Sequence, residues 1–376
     1  MNNFIYANKC EIMFGDLAEA KIAEAISCHG AKMVMVVYGG GSVRKSGVLD
    51  KVLDGLKNAG IKFIEFGGVC ANPLINHCNV GVDIARTKGV DFVLAVGGGS
   101  VIDAAKYIAV GACSNQDVEK MFKNDKGAIK ALKIGTVLTL PAAGSECSRA
   151  SVVRCEESGE KFSMSSDAIR PTFAYINPRH CMTLPREQIA NGASDIVAHM
   201  LERFFSPQTD VTVTDELLLG GIKALVNVAS RLYNNPQSYE FWAEFCLIGT
   251  LAHNGWLSVG RDSQDWATHK IENKLLSGIH NIAHGQGLAI LFPAWMQHNM
   301  SKHSQRFNHL FSETFDINGW RGFFRSLGLA QTLSEVGIDV NKVQADAKKV
   351  FPKGTILGAF SQTSQDDILA ILEICK

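Results

Sequence analysis

Residues 91–106 read Asp91-Phe-Val-Leu-Ala-Val-Gly97-Gly-Gly-Ser100-Val-Ile-Asp103-Ala-Ala-Lys106, and they carry the strongest fold signal in the chain. The first six residues form a nearly continuous apolar run, which is typical of a strand buried on both faces of a parallel sheet. Three glycines and a serine end this strand, and helical spacing begins immediately afterwards. The stretch therefore predicts one strand–loop–helix unit of an α/β fold.

The same unit occurs earlier in the chain. An apolar run from Lys32 to Tyr38 leads into Gly39-Gly40-Gly41-Ser42, and helical spacing then extends from Val43 to Leu56. Two further strands and one helix are predicted in this half, at 61–66, 133–140 and 75–88. Strands that alternate with helices predict an open, mostly parallel, Rossmann-like sheet.

The two Gly-Gly-Gly-Ser loops indicate phosphate binding. Glycines after a strand let backbone N–H groups and the start of the next helix approach a phosphate closely. Either loop alone would be weak support, because such turns are common in α/β units, but two of them on one sheet suit a dinucleotide. Neither loop fits G-x-G-x-x-G, since Arg44 and Ile102 stand where the third glycine belongs.

The residues around the first loop favour NADP(H) over NAD(H). NAD sites usually place a carboxylate at the adenosine ribose, where it repels a 2′-phosphate. Residues 38–42 contain no carboxylate, and Arg44 and Lys45 follow them. Alternatively, both cations are solvated surface residues.

The character of the sequence changes near residue 185. Helical periodicities dominate from there to the end, and no convincing strand occurs among them. The predicted helices in this half include 215–229, 239–251, 265–276, 320–327 and 365–375. We therefore predict a dinucleotide-binding α/β domain at 1–185 and an all-α domain for metal and substrate at 186–376.

A helix near the start of the second half carries Asp195 and His199 four positions apart, so both lie on one face. An apolar stripe that includes Ile189 and Ile196 lies on roughly the opposite side. From this helix alone, a solvated polar face is the simpler interpretation.

Two later segments add histidines to this pair. His269 lies on a predicted helix, and His284 begins another. One carboxylate and three imidazoles suit a divalent transition ion such as Fe²⁺ or Zn²⁺. His280 competes with His284 for this role. The other histidines are predicted to be surface or capping residues, at His29, His77, His180, His253, His298, His303 and His309.

Composition excludes several classes of protein. The formal net charge is zero and 20% of the 376 residues are charged, without the basic patch of a nucleic-acid or membrane-surface protein. No apolar run is long enough to span a bilayer, and no signal peptide is visible. The ten cysteines include no C-x-x-C pair, which argues against a structural zinc knuckle. Because the chain is long and no secretion signal is visible, reduced thiols and a cytoplasmic location are predicted.

Several blocks in order resemble the iron-containing (group III) alcohol dehydrogenase family, in particular its NADPH-dependent butanol dehydrogenase and aldehyde reductase branch. The matching blocks begin at Tyr38, Ala95, Thr139, Ala190, Asp265 and His284, so the resemblance spans nearly the whole chain. It implies a dehydroquinate synthase-like architecture and a homodimer. It also makes the metal interpretation of Asp195 and His199 the preferred one.

The resemblance assigns roles residue by residue. The implied metal ligands are Asp195, His199, His269 and His284. The implied cofactor residues are Gly97, Gly98, Gly99 and Ser100 at the pyrophosphate, and Gly39, Gly40, Gly41 and Ser42 at the adenosine ribose and 2′-phosphate. Thr139, Ser145 and Asp103 would lie on the nicotinamide side, with Lys161 at the ribose hydroxyls. Glu202 matches no family ligand and is left outside the predicted site.

The chain departs from the family pattern at three places. Asn273 stands where a histidine usually lines the reaction site, which puts proton transfer in question. The segment from His269 to His284 is one residue longer than the common pattern. Ala143 and Ser148 replace a frequent threonine and asparagine near the predicted nicotinamide site.

The predicted activity is the NADPH-dependent reduction of aldehydes to primary alcohols, and the reverse, with a metal ion polarising the carbonyl. Phe162, Trp266 and Phe292 favour a less polar aldehyde if they line the substrate cleft. An NAD-dependent, glycerol-type polyol dehydrogenase of the same fold is one alternative. A non-catalytic NADP-binding protein is another.

Overall fold

The computed structural model describes residues 1–376, and the chain divides into two compact units. The α/β unit contains Ala7–Leu184 together with Ser238–Thr250. The helical unit contains Met1–Tyr6, Pro185–Gln237 and Leu251–Lys376. Residues 1–6 were predicted in the α/β domain but belong to the helical unit. Residues 238–250 were predicted in the all-α domain but belong to the α/β unit.

A six-stranded parallel sheet forms the centre of the α/β unit, in the order β1-β8-β5-β4-β2-β3. Its strands are β1 (Glu11–Phe14), β2 (Met33–Gly39), β3 (Lys62–Val69), β4 (Phe92–Gly98), β5 (Lys133–Leu140) and β8 (Phe173–Ile176). A separate antiparallel hairpin consists of β6 (Ala150–Arg154) and β7 (Lys161–Ser165). The prediction of a parallel Rossmann-like sheet is confirmed, although β1, β8 and the hairpin were not predicted.

Helices follow the strands of this sheet. They are α1 (Ala20–Cys28), α2 (Ser42–Lys45), α3 (Val48–Asn58), α4 (Ile75–Lys88), α5 (Gly99–Cys113) and α6 (Val118–Lys123). The single helix predicted from Val43 to Leu56 is wrong, because Gly47 adopts φ +74° and separates α2 from α3. Residues 92–96 of β4 are completely buried, as a parallel sheet covered on both faces requires.

The second unit is almost entirely helical. Its helices are α7 (Arg186–Phe204), α8 (Thr212–Asn234), α10 (Ala267–Ile271), α11 (His284–Asn299), α12 (Ser304–Glu313), α13 (Ile317–Ser326), α14 (Val340–Val350) and α15 (Gln365–Ile374). Helix α9 (Tyr239–His253) lies mostly in the α/β unit. Residues 272–279 form a π-helix, and β9 (Ile356–Leu357) pairs with β10 (Thr363–Ser364). No helix combines the length and apolar character needed to cross a membrane.

Candidate functional site

Helix α7 carries Asp195 and His199 through the interior of the helical unit. From Ile189 to Phe204 only Asn191 is not buried, so the helix has apolar and polar faces that are both covered. Asp195 is 3% exposed and His199 5%. The interpretation of this pair as a solvated face is therefore wrong.

Three histidine nitrogens surround one carboxylate oxygen. Asp195 Oδ1 lies 3.5 Å from Nδ1 of His199, 3.7 Å from Nε2 of His269 and 3.4 Å from Nε2 of His284. The ligand atoms of Asp195, His199 and His269 all lie within 4.8 Å of one another. The structure thus brings the four predicted ligands together from α7, α10 and α11.

The donor atoms in this cluster lack other partners. Asp195 Oδ1, His199 Nδ1 and His269 Nε2 are buried and form no hydrogen bond. Buried polar atoms without partners are costly, by about 1–3 kcal/mol each, and a coordinated cation would satisfy all three. One carboxylate and several imidazoles are a normal ligand set for a divalent transition ion, so these residues fit such an ion.

The electrostatics of the cluster favour a cation. Burial would raise the pKa of Asp195, but its interactions with His199, His284 and His269 hold that pKa well below its usual value. Burial lowers the pKa of the His199 imidazole far below its usual value, so this ring is neutral. Burial acts against protonation of His284 as well, yet Glu272 and Asp195 raise its pKa to about 10. The surrounding carboxylates therefore draw positive charge to this point.

Two glutamates hold the far nitrogens of the histidine rings. His269 Nδ1 lies 2.9 Å from Oε1 of Glu202, and His284 Nδ1 is hydrogen-bonded to Glu272. These bonds leave both Nε2 atoms directed to Asp195, as in many carboxylate–histidine–metal arrangements. Leaving Glu202 outside the site was wrong, and Glu272 was missed. Helical spacing alone could not indicate these two roles, because each glutamate contacts a histidine in a different segment of the chain.

The π-helix at 272–279 lies between His269 and His284. In a π-helix the backbone hydrogen bonds span five residues instead of four, and such segments often occur at functional sites. At the end of this segment, His284 Nε2 reaches to 3.4 Å from Asp195 Oδ1.

A close backbone approach fixes the position of His284. A Cβ atom at Gly285 would lie only 2.1 Å from the carbonyl oxygen of Asn191, so α11 and α7 touch through their backbones. A Cβ at Gly287 would lie 2.6 Å from Oε1 of Glu272. Glycine is required at both positions for the histidine and its glutamate to be placed as they are.

Several aromatic and histidine predictions need correction. His180 is 7% exposed and packs against Tyr175, and the His253 ring centroid lies 4.3 Å from that of His199. Neither is therefore a simple surface residue. Phe292 is buried against Trp295 in the helical core and cannot supply exposed substrate surface. Trp266 does lie beside the cluster, 5.1 Å from the His269 ring.

The two glycine loops follow β2 and β4, which are adjacent in the parallel sheet, so both lie at the carboxyl edge. Ligands of open α/β sheets bind at this edge. A Cβ at Gly97 would lie 2.5 Å from Val101, and one at Gly98 would lie 2.9 Å from Leu140. A side chain at Gly97 would push the loop away from the first turn of α5, and one at Gly98 would push it away from β5.

A buried lysine organises the loop after β5. Lys106 Nζ lies 2.7 Å from the Ser145 carbonyl, 2.8 Å from Ser145 Oγ and 2.7 Å from the Ala150 carbonyl. Ser145 Oγ donates to Asp103 Oδ1 at 2.7 Å. Burial lowers the pKa of Lys106 to about 8, although Asp103 acts in the opposite direction. Lys106 was not predicted as a site residue, although its position three residues after Asp103 in α5 puts both side chains on one face of the helix.

The cations after the first loop differ in their surroundings. Arg44 is hydrogen-bonded to Glu65 and, at 2.8 Å, to the hydroxyl of Tyr38. Lys45 is exposed and forms no ion pair. One of the two predicted phosphate-binding cations is therefore already paired with a carboxylate.

A parallel α/β unit joined to a helical unit with a buried Asp–His cluster is the arrangement of a metal-dependent dehydrogenase. Comparison with family models gives the same class. Residues 10–178 match the iron-containing alcohol dehydrogenase model, and residues 189–375 match the C-terminal model of the Fe-containing alcohol dehydrogenase family. The chain belongs to the iron-containing alcohol dehydrogenase family and is an oxidoreductase.

Individual relatives extend over the full chain. Probable NADH-dependent butanol dehydrogenase 1 of Bacillus subtilis strain 168 is 35% identical, over 99% of both chains. NADPH-dependent aldehyde reductase YqhD of Escherichia coli strain K12 is also 35% identical, over 100% of both chains. The crystal structure of NADH-dependent butanol dehydrogenase A from Thermotoga maritima superposes with a TM-score of 0.94 at 35% identity, covering 100% of this chain and 99% of that one.

Proposed function

We propose that this enzyme reduces aldehydes to primary alcohols with NADPH, and catalyses the reverse, at a divalent metal ion. The observation that carries the proposal is the cluster of buried, otherwise unpartnered ligand atoms around Asp195 Oδ1. The names of the relatives, which include butanol dehydrogenases and an aldehyde reductase, support the substrate class.

Asp195, His199, His269 and His284 would hold the metal, either Fe²⁺ or Zn²⁺. Bound there, the ion supplies a Lewis acid for an aldehyde oxygen. The chain's own part is to keep Asp195 ionised and His199 neutral, which are the states in which these groups can be ligands. Glu202 and Glu272 orient two of the imidazoles.

The cofactor would bind along the carboxyl edge of the sheet. Gly97–Ser100 would accept the pyrophosphate, and Gly39–Ser42 the adenosine ribose. Thr139, Ser145, Asp103 and Lys161 would contact the nicotinamide half, which supplies the hydride. The chain positions this half through Lys106, whose bonds to Ser145 hold the loop in one conformation.

NADPH is favoured by the absence of a carboxylate in residues 38–42 and by the exposed, unpaired Lys45. NADH is the second candidate, because Glu65 already pairs with Arg44 and several relatives are named NADH-dependent. The ratio of kcat/KM for NADPH and NADH decides between them. The substitution Lys45→Glu should lower kcat/KM with NADPH far more than with NADH if a 2′-phosphate binds here.

Proton transfer would not use the usual histidine, because Asn273 occupies its position and an amide does not titrate. We propose that water or a ribose hydroxyl delivers the proton to the product alcohol. A homodimer and a cytoplasmic location remain predictions from the sequence. Light scattering during size-exclusion chromatography measures the first.

The direct test uses Asp195→Ala and His199→Ala, with Glu187→Ala as the control because Glu187 is exposed on the same helix. Elemental analysis gives the bound metal, and reduction of butanal with NADPH or NADH gives the activity. Both site variants should lose metal and activity, whereas the control should keep both. Site variants that retained both would overturn the proposal, and faster oxidation of glycerol with NAD⁺ would favour the polyol alternative.

A further inference from the structure

Two cysteines of the α/β unit touch through their sulfur atoms. Cys10 lies just before β1, and Cys147 lies in the loop after β5, two residues beyond Ser145. Their Sγ atoms are 3.4 Å apart. Neither residue belongs to the metal cluster or to the proposed cofactor contacts, so the metal and cofactor chemistry does not explain this contact.

The two thiols differ in access to solvent. Cys10 is partly exposed, whereas Cys147 is completely buried. The hydrogen bond with Cys10 and burial both raise the pKa of the Cys147 thiol well above its usual value. A small oxidant therefore reaches Cys10 first, and the neighbouring Cys147 is present as a protonated thiol.

We propose that Cys10 and Cys147 are a site of reversible oxidation to a disulfide by hydrogen peroxide. The Cys10 sulfur attacks a peroxide oxygen, the O–O bond breaks, and Cys10 becomes a sulfenic acid as one water is released. The Cys147 sulfur then attacks Cys10, its proton leaves with the displaced hydroxyl as a second water, and the S–S bond forms. Two thiols lose two electrons in total, and hydrogen peroxide accepts them.

The surroundings determine which sulfur moves to form the bond. The carbonyl of Cys147 accepts a 2.7 Å hydrogen bond from Arg170, and Lys106 holds the neighbouring Ser145 carbonyl at 2.7 Å. The Cys10 N–H donates to Asn8 within its own segment, and that segment meets the Cys147 loop through longer contacts, from Asn8 Nδ2 to the Cys147 carbonyl at 3.4 Å and from Cys10 Sγ to the Glu146 carbonyl at 3.5 Å. Because the bonds that hold the Cys147 loop are shorter, we expect the segment before β1 to move and the loop that carries Ser145 to stay in place. The disulfide should therefore prevent further oxidation of both sulfurs, and cofactor binding should be retained.

A second pair of cysteines provides an internal control. Cys181 Sγ and Cys246 Sγ are 3.9 Å apart, and both residues are completely buried. Proximity is similar in the two pairs, but only the first has a sulfur that solvent reaches. If solvent access determines which thiols are oxidised, only Cys10 and Cys147 should form a disulfide.

The test treats the full-length enzyme with stoichiometric hydrogen peroxide and maps its peptides by mass spectrometry. The expected product is a peptide pair linked through Cys10 and Cys147, lacking two hydrogens and restored by dithiothreitol. The NADPH dissociation constant of the oxidised enzyme should change by less than about threefold, since that corresponds to under 1 kcal/mol.

Substitutions separate this outcome from general oxidation. In Cys147→Ser, Cys10 has no resolving thiol and, with at least two equivalents of hydrogen peroxide per chain, should gain two oxygens irreversibly as a sulfinic acid. In Cys10→Ser, Cys147 should stay reduced. The proposal is overturned if no linked peptide forms, if the link joins Cys181 to Cys246, or if Cys147→Ser leaves Cys10 unoxidised. The mapping distinguishes these products from oxidation of the exposed Cys28 and Cys70.

Discussion

The Oε1 atom of Glu202 lies 2.9 Å from Nδ1 of His269 and also accepts the backbone N–H of that residue at 3.1 Å. The same carboxylate accepts hydrogen bonds from the Thr268 hydroxyl and, at 2.5 Å, from the backbone N–H of Trp266. One buried group on α7 thus fixes the start of α10 and the tautomer of its histidine. With Nδ1 carrying the proton, the Nε2 lone pair is available to a metal.

Replacing Glu202 should therefore weaken metal binding more than it alters the fold. In Glu202→Gln, an amide replaces the carboxylate that orients His269, so we expect the metal dissociation constant to rise by about 10–100-fold. Competition with a chromophoric chelator measures this constant. Glu187→Gln, on the exposed first turn of the same helix, is the matched control. Equal affinity in both variants would show that Glu202 does not support the ligand.

The contact between Gly285 and Asn191 gives a second prediction. Gly285→Ala places a Cβ where only 2.1 Å is free, so α11 must move away from α7. Overpacking of this kind costs about 1–3 kcal/mol in the free energy of unfolding, and His284 moves with its helix. Both the midpoint of thermal unfolding and metal affinity should fall.

Gly322→Ala is the appropriate comparison for that variant. Gly322 also lies in a helix, α13, and no atom lies within 4 Å of a Cβ built there. An alanine should stabilise this helix by about 0.5–1 kcal/mol and leave metal binding unchanged. If Gly285→Ala behaved like Gly322→Ala, the backbone contact would not determine the position of His284.

Lys106 should control cofactor binding in a pH-dependent way. Folding lowers its pKa to about 8, so the ammonium is present below pH 8 and is lost as the pH rises through that value. The loop at Ser145 then loses its cationic partner. We expect the NADPH dissociation constant, measured by fluorescence, to rise between pH 7 and pH 9, while Lys106→Met binds weakly at both values.

Lys133→Met serves as the control for Lys106→Met, because Lys133 is an exposed lysine of the same unit whose ammonium bonds only the His29 carbonyl. It should keep the pH dependence of the wild-type enzyme. A Lys106→Met protein with wild-type affinity at pH 7 would contradict the role given to the ammonium. Circular dichroism establishes that the variant is folded before binding is compared.

A buried ion network should dominate the stability of the helical unit. Asp215 is 2% exposed and binds two guanidinium groups, those of Arg261 and Arg306, the latter at 2.5 and 2.6 Å. Asp215→Asn leaves both cations buried without a counter-charge and should cost about 3–5 kcal/mol. Denaturant unfolding measures the loss. Asp210→Asn, at an exposed position nearby, should change stability by less than about 0.5 kcal/mol.

Sequence patterns correctly predicted those elements of the fold whose residues are contiguous in the chain. The strand, loop and helix around Gly97–Ser100 are contiguous, so the apolar run and the glycines reveal them directly. Strand β1 is short and half-exposed, and it pairs with β8, which lies far away in the chain. Neither strand carries an alternation of its own, so periodicity could not identify them.

The candidate site shows the same limit. The resemblance identified Asp195 and the three histidines from motifs, and the structure brings them together. Glu202 and Glu272 were not identified, because their role depends on hydrogen bonds to residues 67 and 12 positions away. The π-helix also could not be foreseen, since its residues have ordinary helical spacing.

Because Gly285 has no side chain, the geometry of the metal cluster in this enzyme can be altered only in certain ways. Because the backbones of α7 and α11 meet there, the span between Asp195 and His284 is set by main-chain atoms and not by side-chain size. Evolution or design can exchange the ligands themselves, or the groups that orient them. A wider or narrower coordination sphere, by contrast, would require these two helices to be rebuilt together.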